Sequence, residues 1–353
     1  MKKLLYRFLT GVMVTCAATA AFAQDVHFSQ YNQAPILLNP ALSGLNGCDY
    51  RAAANFRVQW LTVSTGNTYR TAAGSFDMAI GKVTKFNSFA GFGVAFYSDQ
   101  AGDINFNTNR ALVSLAYHFV LDRKGTQQIS AGLHGAFNHR GINPSKATFD
   151  SQYDPTTGQV DPNGIKETFG RNRIFFGDAG LGVLYSALIG PNSRKSNVFF
   201  GVSLDHINQP KISFYPNQTD NSNTGNERLY LKTQIHGGAS IPVSKRLAIQ
   251  PNFLVMIQGP SYEFNVGCNF KAQLGNINYS KTALVLGAQY RGLLDAMVIQ
   301  ARVDVKGFSI GASYDINLSK LTPASQTIGG PEASLMYQGC LSKKPRPGIC
   351  PSM

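Results

Sequence analysis

The chain has 353 residues, 43% of them hydrophobic and only 14% charged, where an ordinary soluble domain carries ~25% charged residues. Its formal net charge is +13, but Lys and Arg are dispersed rather than clustered with aromatics, which argues against nucleic acid as a partner. Beyond the N-terminus no apolar run approaches the ~18 residues a membrane helix needs, whereas 35 Gly, 23 Phe and 15 Tyr suit a β-protein that meets lipid.

In chain order, residues 1–23 read as a signal peptide. Lys2, Lys3 and Arg7 form a charged start, Phe8 to Ala20 is apolar, and Ala21-Phe22-Ala23 is a small-residue cleavage site. The mature chain would begin at Gln24. Residues 24–48 form an N-terminal periplasmic, plug-like segment. They carry Phe28, Tyr31, Ile36, Leu37 and Leu38, with bends set by Pro35 and Pro40. Each large apolar side chain gains ~1.5–3 kcal/mol on burial. The segment is therefore expected to pack into the periplasmic mouth, the lumen or a partner.

Residues 49–338 alternate with period two, the pattern of a strand whose faces meet different surroundings. Tyr50, Ala52, Ala54, Phe56, Val58 and Trp60 oppose Arg51, Ala53, Asn55, Arg57 and Gln59. The same split recurs to Phe308, Ile310, Ala312, Tyr314 and Ile316 against Ser309, Ser313, Asp315 and Asn317. Fourteen such segments are expected, at 50–60, 70–80, 89–98, 109–121, 128–139, 175–187, 197–206, 228–241, 247–257, 261–271, 281–291, 296–304, 307–317 and 331–337. Most match the ~10 residues of a tilted membrane strand. The expected fold is all-β, a transmembrane antiparallel β-barrel of about 14 strands, because closure alone leaves no unpaired edge in outer-membrane lipid.

An even strand number puts both barrel ends on the periplasmic side. The two longest connections, 140–174 and 207–227, then both fall outside. The periplasmic turns carry Lys82, Lys85, Arg123, Lys124, Arg194, Lys195, Lys245 and Arg246. This basic rim either aids assembly or faces an acidic periplasmic partner. Residues 339–353 form a basic, Cys-containing periplasmic tail. Cys48 and Cys340 flank the first and last strands, which are neighbours ~4.8 Å apart in a closed barrel. A Cys48 disulfide with Cys340, or alternatively Cys350, is expected, while Cys268 shares its phase with Phe264 and Phe270 and should stay free.

No catalytic, metal or cofactor site emerges. His118, His134 and His236 fall on the lumen face, where polar residues are expected anyway; His134 with Ser130 or Ser114 is the imaginable nucleophile pair. Asp150, Asp154 and Asp161 lack the spacing of a calcium loop. Gly177 to Gly182 does not match a phosphate-binding pattern and reads as small residues at a strand start.

The mature N-terminus, Asp25-Val26-His27-Phe28-Ser29-Gln30-Tyr31 followed by Asn39-Pro40-Ala41-Leu42-Ser43-Gly44, resembles the opening of the PorP/SprF family of type IX secretion membrane proteins. Further similar stretches are Arg57-Val58-Gln59-Trp60, Tyr97 to Gly102, Ala116-Tyr117-His118, Gly311 to Leu321, Pro331-Glu332-Ala333-Ser334-Leu335 and Cys350-Pro351. Pro331 stands where the family pattern has His. The resemblance implies an outer-membrane barrel of Bacteroidetes-type bacteria, in secretion or gliding, that receives or anchors cargo bearing a type IX C-terminal domain. It also implies a periplasmic secretion-system or peptidoglycan-binding protein as neighbour. Phe28, Ser29, Gln30, Tyr31, Asn39 and Pro40 are then candidate plug or partner contacts. A passive porin or small-solute transporter is the competing reading.

Overall fold

The computed structural model describes residues 25–60, 69–81, 88–102, 104–147, 149–154, 156–161, 170–191, 194–214, 227–274, 282–292, 295–319, 322–341 and 349–351. The expected signal peptide, Lys82 and Lys85 lie outside these residues.

Fourteen antiparallel strands close into a barrel. They are β1 (Tyr50–Gln59), β2 (Tyr69–Ile80), β3 (Phe89–Ala101), β4 (Phe106–Val120), β5 (Gln127–Gly141), β8 (Arg173–Ile189), β9 (Ser196–Asp205), β10 (Lys232–Pro242), β11 (Leu247–Gln258), β12 (Ser261–Leu274), β13 (Thr282–Arg291), β14 (Ala296–Val305), β15 (Phe308–Asn317) and β16 (Ile328–Gly339). Two short strands, β6 (Tyr153–Asp154) and β7 (Gln159–Val160), pair with each other in the connection between β5 and β8. Each barrel strand pairs with its sequence neighbour in the barrel. Closure comes from β1 on β16, with Tyr50 opposite Gly339 and Arg57 opposite Glu332. No described helix is long and apolar enough to cross a membrane.

The period-two pattern becomes two surfaces. Phe56, Phe137 and Ile310 point outward and are exposed, while Arg57, His118 and Asn138 point inward and are buried. An apolar exterior around a polar interior is the arrangement a lipid-embedded barrel requires.

The barrel ends differ. Tyr50 and Gly339 mark a termini end, closed by short turns that carry Arg123, Lys124, Arg194, Lys195, Lys245 and Arg246, all exposed. The opposite, loop end carries the connections from β5 to β8 and from β9 to β10.

The eighth barrel segment, β10, begins at Lys232 rather than at 228. Leu229 instead buries its side chain with Ile174 and Phe176, and Ile212 and Phe214 pack on the same cluster. Lys211 bridges Arg228 in antiparallel register, so this stretch folds over the loop end as a cap.

Candidate functional site

The barrel interior is occupied by the protein's own N-terminal segment. Asp25 lies near the loop end, and the chain descends through the lumen to Cys48 at the termini end. Its conformation is set locally. Tyr31–Gln33 and Pro40–Leu42 form 3-10 turns and Pro35–Leu38 a single helical turn, with Pro35 and Pro40 at first-turn positions where a missing N–H costs nothing. Ser29 to Pro35, Leu38 to Asn46 and Ile36 are buried. Tyr31, Leu38, Leu42 and Leu45 join wall residues Phe89, Leu184, Phe199, Leu254 and Met256 in one apolar cluster.

At the loop end Asp25 meets His206, the residue just after β9, and Arg140 at 3.4 Å. His206 Nδ1 lies 2.7 Å from Asp178, which also pairs with Arg110 at 2.9 Å. Burial opposes charge on both Asp25 and His206, but their mutual attraction outweighs it. Asp25 is held well below the usual carboxylate range, and His206 is pushed up to about 9.

One turn deeper, Glu332 accepts the backbone N–H groups of Ser29 at 2.7 Å and Gln30 at 2.8 Å. The Ser29 hydroxyl donates to Asp315 at 2.8 Å and accepts from Arg291 at 2.7 Å. Arg57 pairs with Asp315 at 2.7 Å and donates to the His27 carbonyl at 2.6 Å. Ser334 donates to the Gln30 side chain at 2.7 Å. The Tyr31 hydroxyl donates to Asn252 at 2.6 Å, and burial pushes its phenol pKa up. A buried carboxylate satisfied by two backbone N–H groups is a strong, directional anchor.

The middle layer is steric. The Asn39 amide oxygen caps the Ala41 N–H at 2.9 Å, while its nitrogen donates to the Val183 carbonyl at 3.1 Å and lies 3.1 Å from His236 Nε2. The wall makes room with glycine: a Cβ on Gly182 would overlap the Asn39 amide, and one on Gly132 would overlap the Pro40–Ala41 peptide. The run from Gly177 to Gly182 therefore lies inside β8 rather than opening it, and its last glycine, Gly182, seats the segment. Ser43 donates to Ser114 at 2.8 Å, and its carbonyl accepts from His118 Nε2 at 2.9 Å. Gly44, at φ +76°, presents its N–H to Asp77 at 2.7 Å, and Arg51 grips the same carboxylate at 2.9 Å.

At the termini end Cys48 and Cys340 are joined by a disulfide, their Cα atoms 4.6 Å apart. Cys268 and Cys350 are free. Ile349 to Pro351 return to this mouth. The Ile349 N–H donates to Gln128 at 3.0 Å and the Cys350 carbonyl accepts from Asn197 at 2.6 Å. Burial pushes the Cys350 thiol up to about 11.

Phe28, Ser29, Gln30, Tyr31, Asn39 and Pro40 thus all fall in the lumen, and Arg57, His118, Asp315, Glu332 and Ser334 are the wall residues that hold this segment. The nucleophile pairing differs from expectation. Ser130 hydrogen-bonds His118 Nδ1 at 2.8 Å, while His134 faces Asp205 at 3.0 Å, because Arg110, Asp178 and Asp205 draw it into their ion network. His118 and Ser130 are fully buried behind the segment. Asp154 accepts from the Thr156 N–H at 2.8 Å and the Thr157 hydroxyl at 2.9 Å, closing a turn. Among the described residues no group of three His, Cys, Asp or Glu could hold a metal. Asp178, Asp205 and His206 were not singled out from the sequence. The inward phase of Asp178 in β8 and of Asp205 in β9 was the usable signal.

No curated protein matches the sequence. Among solved structures, the chain is similar to the Ralstonia pickettii toluene transporter TbuX (11% identity, TM-score 0.49, 86% of this chain and 92% of that one). It is also similar to a monoaromatic hydrocarbon channel, CymD (8%, 0.49, 87% and 93%), and to a Pseudomonas aeruginosa FadL homologue (9%, 0.46, 92% and 96%). The model of the type IX secretion system membrane protein PorP/SprF matches residues 20–329, and the chain belongs to that family.

Proposed function

We propose that this barrel serves type IX secretion as an outer-membrane receptor or anchor for secreted cargo bearing the C-terminal signal domain, with the loop end outside and the termini end in the periplasm. The observation that carries this reading is the filled lumen. A solute porin needs an open path, whereas here Asp25 to Cys48 occupies the interior through buried hydrogen bonds at every level. The available surfaces are then the outer loops, for cargo, and the basic periplasmic rim, for a secretion-system or peptidoglycan-binding partner. The test has two arms. Pull-down of the tagged protein from outer membranes should recover a protein with that C-terminal domain. The purified barrel in planar bilayers should show no steady conductance; a large, steady open channel would favour the porin reading instead.

A further inference from the structure

The cap at the loop end contains a local conflict. Lys211 and Arg228 stand directly opposite each other in an antiparallel bridge, both exposed. Directly opposed residues share a face, and like charges placed so are destabilising. The neighbouring positions turn the other way: Leu229 is buried with Ile174 and Phe176, and Ile212 packs there too. The apolar underside therefore clamps the cap onto the barrel mouth and aims both cations away from the lumen.

Two more cations adjoin them. Arg171 donates its Nε and a terminal N–H to the Ser213 carbonyl at 3.1 and 2.7 Å, and its backbone N–H to the Phe214 carbonyl at 3.1 Å. This ties it to the strand that bears Lys211. Arg173 opens β8 on the outward face, two residues above the exposed Phe175, whose ring stacks on Phe137 at 5.8 Å. Among the described residues none of the four cations forms an ion pair with a carboxylate. Glu227 is exposed beside Arg228 but one position along, so it points to the other side of the bridge.

We propose that Arg171, Arg173, Lys211 and Arg228 form a binding site for the phosphate groups of an outer-leaflet glycolipid. Guanidinium forks match phosphate oxygens in pairs, and a phosphate between Lys211 and Arg228 removes their repulsion. The exposed apolar wall of Phe175 and Phe137 below Arg173 favours a lipid over a soluble acidic protein. Arg173 sits where the lipid-facing wall of Phe175 and Phe137 ends, and Tyr230 and Ile207 are exposed beside the cap. The proposal takes only the orientation of the barrel from the functional reading above, and its test does not depend on that orientation.

The test uses the full-length protein in non-ionic detergent, with bisphosphorylated lipid A and its dephosphorylated counterpart as probes and bound lipid read by native mass spectrometry. Wild type is expected to prefer the phosphorylated lipid at least ~10-fold. Lys211→Gln with Arg228→Gln should weaken that binding on the order of 20-fold, since each cation near an anionic lipid surface is worth ~1 kcal/mol. Lys245→Gln with Arg246→Gln, at the other end, should leave binding of the phosphorylated lipid at the wild-type level. Heat-modifiable gel mobility reports folding, and Arg173→Gln, on the wall, supplies an independent variant should the cap pair misfold; it should lose ~5-fold. Equal binding of the two lipids by wild type, or an equal loss in the Lys245 and Arg246 variant, overturns the proposal. So does salt-sensitive capture of polyaspartate by the same cluster without any lipid preference, which would assign it to an acidic protein.

Discussion

Single residues hold the N-terminal segment in two ways, by charge and by shape. Asp25 and His206 are the charged clamp, and its pH dependence has a definite sign. His206 is raised from its ordinary value near 6.5 to about 9. Its contribution is therefore complete below 6.5 and lost as pH rises through about 9. Asp25 is lowered, so its contribution is present above the ordinary carboxylate value and lost only on strong acidification. Protection of amides 25–30, corrected for intrinsic exchange, is expected to fall between pH 6.5 and about 9 and to stay flat in His206→Gln; a flat profile in wild type would refute the clamp. Shape acts at Gly182, where the Asn39 amide fills the space of a side chain. Gly182→Val should cost ~1–3 kcal/mol by overpacking and push the segment out. The observable result is protease cleavage between residues 25 and 48 and new bilayer conductance, while heat-modifiable mobility stays that of a folded barrel. A variant as resistant and as silent as wild type would contradict the close packing.

At the scale of elements, the first and last strands meet along one seam, and Cys48 and Cys340 close its lower end. The same place joins three parts: the foot of the luminal segment, β1 and β16. The Asp49 N–H donates to the Gly339 carbonyl at 3.0 Å, extending the ladder by one step beside the disulfide. Non-reducing peptide mapping should recover a Cys48–Cys340 peptide, and four alkylatable thiols without reductant would remove the staple. Cys48→Ser with Cys340→Ser should leave the barrel formed but lower its stability by ~2–5 kcal/mol, read as a lower urea midpoint for the heat-modifiable band. The cap is the contrasting element. Among the described residues it has one isolated bridge rather than a ladder, and it holds position through the side chains of Leu229, Ile212 and Phe214 and the bonds of Arg171 to the Ser213 and Phe214 carbonyls.

Over the whole molecule, interior and rim divide their roles. Inside, Arg57, Arg110, Arg140 and Arg291 are each paired with a buried carboxylate, so the lumen charges serve the protein itself. At the termini end, Arg123, Lys124, Arg194, Lys195, Lys245 and Arg246 are exposed and remain a candidate surface for an acidic periplasmic partner. Replacing Arg123, Lys124, Lys245 and Arg246 with Gln should reduce capture of that partner severalfold at low salt. The difference should close at high salt, because exposed charges are screened over ~8–10 Å. Equal capture at low salt, with normal assembly, leaves the rim only a role in barrel insertion.

What the sequence determined by itself follows from local periodicity. Alternation at Tyr50 to Trp60 or Phe308 to Asn317 assigns each residue to one face of its own strand. Strand length then follows from the thickness of the bilayer, and a closed wall from the rule that no backbone group may stay unpaired in lipid. Sequence resemblance added the family, because Ser29, Gln30, Asn39, Asp315 and Glu332 stand in its order. Tertiary structure alone decided what those motifs are for. Ser29 and Glu332 are 303 positions apart yet share a hydrogen bond at 2.7 Å, and no periodicity within either segment encodes that meeting. It likewise decided that the luminal segment runs the length of the barrel with Asp25 at the loop end, that Gly182 is a seat for Asn39, and that Lys211 faces Arg228. Each of these depends on which strands the closed wall brings around the same volume, a property of the assembled barrel rather than of any stretch of chain.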